Sequence, residues 1–129
     1  MPSKVQQKIL LVEDDVFLAN IYQTKFTKEG FNVILAGDGE EALKAVKTKK
    51  PDIILLDILL PKLDGFAVLE KLKEDSDTKD IPVILLTNLG QKDDVERGLQ
   101  LGAVDYLIKA HFKPSETVEK VKKVLARKA

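Results

Sequence analysis

The chain is 129 residues long, enough for one domain with a sizeable core and little room for a second. Lysine plus arginine and aspartate plus glutamate each number 21, so the formal charge is zero and no global basic bias points to DNA, RNA or an acidic membrane. Cysteine is absent, which excludes disulfides, thiolate metal sites and thiol chemistry. The opening MPSKVQQK lacks the apolar core of a signal peptide, and no apolar run approaches membrane-spanning length. A soluble, cytoplasmic single domain is expected, spanning 1–129 with a core over about residues 7–127.

Taken in chain order, the hydrophobic pattern switches period repeatedly. KILLVE (8–13) reads as a buried strand, and helical spacing follows at Leu18, Ile21, Tyr22 and Phe26, ending at Gly30. NVILA (32–36) is the next strand, with Ala42, Leu43 and Val46 marking a short helix behind it. DIILLD (52–57) has no polar alternation from Ile53 to Leu56, as expected of a strand covered on both faces. Phe66, Leu69 and Leu72 line a third helix that runs into the polar EDSDTKD. PVILLT (82–87) is the fourth strand, with Pro82 at its first residue, where a missing N–H is tolerable. Val95 and Leu99 predict a fourth helix closed near Gly102, VDYLIK (104–109) a fifth strand, and Val118, Val121 and Leu125 a last helix with Pro114 near its first turn. Five strands alternating with five helices over short connections predict an α/β fold: one parallel sheet with helices on both faces.

In such a sheet the carboxyl ends of the strands share one edge, where ligands and chemistry collect. Glu13, Asp14 and Asp15 follow strand one, Asp57 ends strand three, Thr87 strand four and Lys109 strand five. Converging carboxylates repel unless a cation sits among them, and oxygen ligands without His or Cys point to a hard divalent ion such as Mg2+. A lysine and a hydroxyl nearby suit the oxygens of a phosphoryl group. The expected chemistry is attack of the Asp57 carboxylate on phosphorus, giving an aspartyl phosphate held by Lys109 and Thr87. Each residue alone has a plainer reading: Asp14 or Asp15 as a helix cap, Thr87 bonded to local backbone, Lys109 as a solvated strand end, Tyr106 as core. Their convergence on one edge is what favours a site.

VEDD (12–15), LLDILLPKLDG (55–65), LLTNLG (85–90) and GAVDYLIKA (102–110) together resemble the response-regulator receiver domain of two-component signalling, over nearly the whole chain. The resemblance implies a doubly wound, flavodoxin-like five-stranded sheet of order 2-1-3-4-5. It implies a phosphoryl group taken from a histidine kinase or phosphotransfer protein onto Asp57, with slow self-dephosphorylation and no turnover as an enzyme. By that likeness Asp15 is a direct Mg2+ ligand, Asp14 an acidic partner acting through water, and the Leu59 carbonyl the third protein ligand. Thr87 is then the switch hydroxyl, Lys109 the phosphate-contacting lysine, and Tyr106 the aromatic that follows Thr87 inward. Output passes to a downstream protein or effector domain, with a homodimer through helix four, strand five and helix five, and without direct contact to nucleic acid or membrane. No output segment follows Ala129, so the chain reads as a stand-alone receiver or one cut from a longer protein.

Three places depart from the family pattern. Ala110 stands where proline is usual after the lysine, and Pro114 is displaced toward the last helix. Asn88 replaces a small residue after the threonine. Leu59 and Leu89 place apolar side chains where an acid or amide better orients attacking water, which predicts a long-lived phosphoryl state. The rival reading is a phosphorylation-independent binding module on the same fold. A phosphatase lacks an obvious general base here. GDGE (37–40) lacks the glycine spacing of a phosphate or dinucleotide loop, and His111, the single histidine, reads as a surface loop residue.

Overall fold

The computed structural model describes residues 6–87, 92–109 and 113–128. Its elements are β1 (Lys8–Val12), α1 (Val16–Lys28), β2 (Asn32–Ala36), α2 (Gly39–Lys49), β3 (Ile53–Asp57), α3 (Gly65–Glu74), β4 (Val83–Thr87), α4 (Lys92–Gln100), β5 (Asp105–Ile108) and α5 (Pro114–Lys128). The strands are parallel, in the order β2-β1-β3-β4-β5, as expected. No described helix is long and apolar enough to cross a membrane.

The all-apolar central strands are buried on both faces, which is why β3 and β4 show no alternation. Alternate residues of each strand face opposite sides of the sheet: Ile9, Leu11, Leu55, Leu86 and Leu107 form one layer with Tyr22 and Phe26 of α1 and Val118 and Val121 of α5. On the other side Leu10, Val12, Leu56, Val83 and Leu85 pack with Val46 of α2 and Phe66 and Leu69 of α3. Each such side chain contributes about 1.5–3 kcal/mol on burial, so both layers are needed to offset the entropy of ordering the chain.

Strand limits fall one residue inside several predicted ends, but the ladder runs on through the backbone. Glu13 N–H donates to Ala36 O at 3.0 Å, the Pro82 carbonyl accepts from Ile54 N–H at 3.0 Å, and Lys109 N–H donates to Thr87 O at 2.8 Å. Two expected inward residues are placed otherwise. Ile21 lies on the flank of α1 and is exposed, because Ala19, Tyr22 and Phe26 occupy the inward stripe. Leu99 is also exposed; Gly98 is the residue of α4 that is buried. A Cβ on Gly98 would sit 2.0 Å from Leu85 Cδ1, so this helix approaches β4 with bare backbone. Arg97 beside it lies over the Phe66 ring, 4.3 Å from its centre.

The order places β1 and β3 at the centre, and the chain leaves them in opposite directions along the sheet. That reversal opens a crevice at their carboxyl ends, where β1 delivers Glu13 and Asp14 and β3 delivers Asp57.

Candidate functional site

Strand parity aims the site. Glu13 continues the parity of Ile9 and Leu11, Asp57 that of Ile53 and Leu55, and Lys109 that of Leu107, so all three rise from the layer beneath α1 and α5. Lys109 Nζ donates to Glu13 Oε1 at 2.5 Å and to Asp57 Oδ2 at 2.6 Å. The other Asp57 oxygen, Oδ1, accepts from Leu59 N–H at 3.0 Å, so the turn after β3 and the lysine after β5 fix the carboxylate from two sides. Gly65 lets α3 begin against this turn: its N–H donates to Ile58 O at 2.9 Å, and a Cβ there would meet Asp57 O at 2.4 Å.

Among the described residues, Glu13, Asp14 and Asp57 each offer a carboxylate oxygen within 4.8 Å of the others. Glu13 and Asp57 are buried while Asp14 faces solvent. Burial pushes the Glu13 carboxyl above its usual range; the bond from Lys109 pulls it down, and neighbouring Asp57 pushes it up again. Burial opposes the charge on Lys109 too, but its bonds to Asp57 and Glu13 outweigh that and hold its pKa above the ordinary lysine value. The cluster thus retains excess negative charge around one fully charged ammonium. Its donors are all hard carboxylate oxygens, and they fit a divalent cation such as Mg2+ better than a softer metal. The site opens into a cleft of about 540 Å³ lined by Glu13, Asp14, Asp15, Leu18, Asp57, Leu59 and Lys109.

The Asp15 Oδ1 accepts from Leu18 N–H at 3.1 Å, making it the N-cap of α1, while the three clustered carboxylates are those of Glu13, Asp14 and Asp57. Glu13, which sequence reasoning names without a role, is one of them. The signal was available: an acid immediately ahead of a helix's first residue reads as a cap, whereas an acid in register with the strand stays with the sheet edge.

Leu59 is exposed and lines the cleft. Thr87 is buried at the end of β4, opposite Ile108 in the register. Tyr106 is half-buried opposite Leu85 and packs into the layer beneath α2 and α3. Thr87 shares the parity of Val83 and Leu85, so Thr87 and Tyr106 belong to one face of the sheet. Asn88, Leu89, Ala110 and His111, singled out in the sequence, lie outside the described residues. Grooves of about 440 and 400 Å³ at the opposite strand ends, lined by Lys47, Lys50, Asp75 and Thr78 among others, hold no comparable cluster of carboxylates and ammonium among the described residues.

The response regulator receiver domain family matches residues 9–122. The chain is 42% identical over 123 residues to the alkaline phosphatase synthesis transcriptional regulatory protein PhoP of Bacillus subtilis, covering 95% of this chain and 50% of that protein. It is 41% identical over 123 residues to the DNA-binding response regulator MtrA of Mycolicibacterium paratuberculosis, covering 95% and 53% respectively. The chain therefore spans about half the length of the curated relatives it matches. Among solved structures, the receiver domain of the Francisella response regulator 1452 superposes with a TM-score of 0.88 at 33% identity, covering 96% of this chain and 100% of that one. The chemotaxis response regulator CheY4 of Vibrio cholerae gives 0.86 at 26% identity, covering 93% and 99%.

Proposed function

The chain belongs to the response regulator receiver domain family, and from that premise we propose that it is a phosphorylation-controlled switch with Asp57 as phosphoacceptor. The observation that carries this reading is the paired hold on the Asp57 carboxylate by Lys109 Nζ and Leu59 N–H, at the mouth of an acidic cleft. An Asp57 oxygen attacks phosphorus of a phosphohistidine, the O–P bond forms, the P–N bond breaks, and the imidazole leaves. Lys109 then exchanges its bond to the Asp57 carboxylate for one to a phosphoryl oxygen, and Thr87 turns its hydroxyl toward the same group.

Asp14 and Asp57, with the Leu59 carbonyl and Glu13 close by, are the groups that would hold Mg2+. When bound, the ion supplies positive charge that offsets the charge on the transferred phosphoryl group. Asp15 serves as the cap of α1 in this assignment. Movement of Thr87 draws Tyr106 along the face they share and alters the surface of α4, β5 and α5, through which a partner, an effector domain or a second copy binds. The donor is a histidine kinase or phosphotransfer protein, and the place of action is the cytoplasm.

The test is intact mass after incubation with Mg2+ and phosphoramidate, beside an Asp57→Asn control. A labile gain of one phosphoryl group, absent from the control and without Mg2+, is expected. Equal gain in both proteins would move the acceptor elsewhere, and no gain in either would favour a phosphorylation-independent binding module.

A further inference from the structure

The loop from Ile58 to Asp64 joins β3 to α3 and is closed at its ends by the Gly65 N–H, which donates to Ile58 O at 2.9 Å. Within it, Leu63 N–H donates to Pro61 O at 2.7 Å, with Lys62 between them at a φ of 66°. A three-residue turn of this hand is rare and strained for a residue with a side chain, and it persists only where its surroundings hold it. Those surroundings are the GDGE segment (37–40) at the start of α2. Leu63 sits so close over Gly39 that a Cβ there would overlap the Leu63 carbonyl oxygen and lie 2.7 Å from Leu63 Cβ. Beside it, Lys62 Nζ pairs with Asp38 Oδ2 at 3.6 Å, while Asp38 Oδ1 caps α2 by accepting from Glu41 N–H at 2.8 Å.

The two contacts differ in weight. The Lys62 side chain is 61% exposed, so water screens its pair with Asp38, which adds only a modest hold. Backbone seated on bare backbone has no such escape, and the Gly39–Leu63 approach carries most of the constraint. What the constraint reaches is Leu59, near the start of the same loop. Its N–H donates to Asp57 Oδ1 at 3.0 Å, so the shape of a loop pinned at its ends and at Leu63 sets where that N–H points. Neither Asp38 nor Gly39 lines the cleft itself.

We propose that the amino end of α2 clamps the loop after β3: the seat of Leu63 on Gly39, aided by the Asp38–Lys62 pair, holds the strained turn and so positions the Leu59 backbone against Asp57. Asp38 and Gly39 are positioning residues. The inference deepens the proposed reading of Asp57 and rests on it for the rate effect alone, since the placement of Leu59 is a property of the unmodified protein. Helix propensity alone points the other way at Gly39, because alanine is the better helix former and an effect confined to α2 would be a gain in stability.

The experiment compares Gly39→Ala, Asp38→Asn and Gly37→Ala with the wild-type chain, each first matched for fold by circular dichroism. Gly39→Ala forces Leu63 Cβ back from 2.7 Å to the 3.4 Å at which ordinary contact begins. Asp38→Asn keeps the cap and removes the charge facing Lys62. Gly37→Ala is the control in the same turn, where a Cβ meets nothing nearer than Glu41 Oε2 at 3.8 Å. The amide 15N signal of Leu59 and its hydrogen exchange are recorded without Mg2+ or phosphodonor; labelling by phosphoramidate with Mg2+ is timed separately. The expected result is a displaced Leu59 signal with faster exchange in Gly39→Ala, a smaller displacement in the same direction in Asp38→Asn, and a wild-type signal in Gly37→Ala. Labelling of Gly39→Ala is expected to slow about 2- to 12-fold, the range one hydrogen bond supplies. A Leu59 signal that stays at its wild-type position in folded Gly39→Ala overturns the proposal, even if stability changes, because packing confined to α2 would alter stability alone. Equal displacement in Gly37→Ala overturns it as well. Should Gly39→Ala not fold, Asp38→Asn decides by the same signal: displacement supports the clamp and none refutes it. If the wild type takes no label, the reading of Asp57 fails, and the Leu59 signal still decides this inference.

Discussion

Replacing Lys109 by methionine removes a charge while keeping most of the side chain's length. In the native protein this ammonium lies 2.5 Å from Glu13 and 2.6 Å from Asp57, and the three side chains are only 13%, 1% and 5% exposed. Breaking a buried pair by deleting one partner typically costs about 3–5 kcal/mol, because the other charge is left unpaired. Here the stranded charge has an escape that sets a ceiling: Glu13 can bind a proton. Starting from an ordinary carboxyl value of 4.5, that costs about 2.5 × 1.36, or ~3.4 kcal/mol, at pH 7 and about 0.7 kcal/mol at pH 5. The loss of stability in Lys109→Met is therefore expected to be about 3 kcal/mol at pH 7 and to shrink to about 1 kcal/mol at pH 5. Urea unfolding followed by far-ultraviolet circular dichroism, with a chelator present, measures both. A penalty of the same size at pH 5 and pH 7 would refute the reasoning, since it would trace the loss to packing and not to charge.

In the wild-type protein, Glu13 has a pKa raised above 4.5 by burial, so the native state holds this proton more tightly than the unfolded chain. Its contribution is fully present below about pH 4.5 and is lost as pH rises through the higher native value; the stability difference between wild type and Glu13→Gln should decline across that window and be flat below it. Asp14→Asn is expected to weaken Mg2+ binding at least tenfold, on the order of 1.4 kcal/mol, by calorimetry. Asp15→Asn should leave Mg2+ affinity nearly unchanged and stability within about 0.5 kcal/mol, because asparagine caps a helix as well as aspartate, while Asp15→Ala should lose about 1 kcal/mol. Gly65→Ala places a Cβ 2.4 Å from Asp57 O and 2.7 Å from Ile58 Cα, both backbone atoms that cannot swing aside. It is expected to cost about 1–3 kcal/mol in urea and to slow labelling of Asp57, and wild-type behaviour in both would mean that the turn yields freely.

Much of this molecule is written locally. The unbroken apolar runs of β3 and β4 demand cover on both faces, and their alternation with helical stripes leaves a parallel sheet as the ready solution. Placing Asp57, Thr87 and Lys109 at strand ends needed only the strand ends themselves, since a parallel sheet gathers these on one edge. Local pattern failed where the outcome depended on which element packs against which. Leu99 has helical spacing with Val95, yet Gly98 faces the sheet because the backbone of α4 comes down onto Leu85, a distance that no periodicity encodes. Among the three acids after β1, residue type is nearly constant. What separates Glu13 and Asp14 from Asp15 is the point where the strand's parity gives way to the cap of α1, a matter of backbone direction within one or two residues. The sequence by itself determined the elements, the edge and the chemical character of the site, because periodicity and side-chain type are local properties. Only the tertiary structure decided that one ammonium is shared between Glu13 and Asp57, because those contacts join residues 96 and 52 positions apart along the chain.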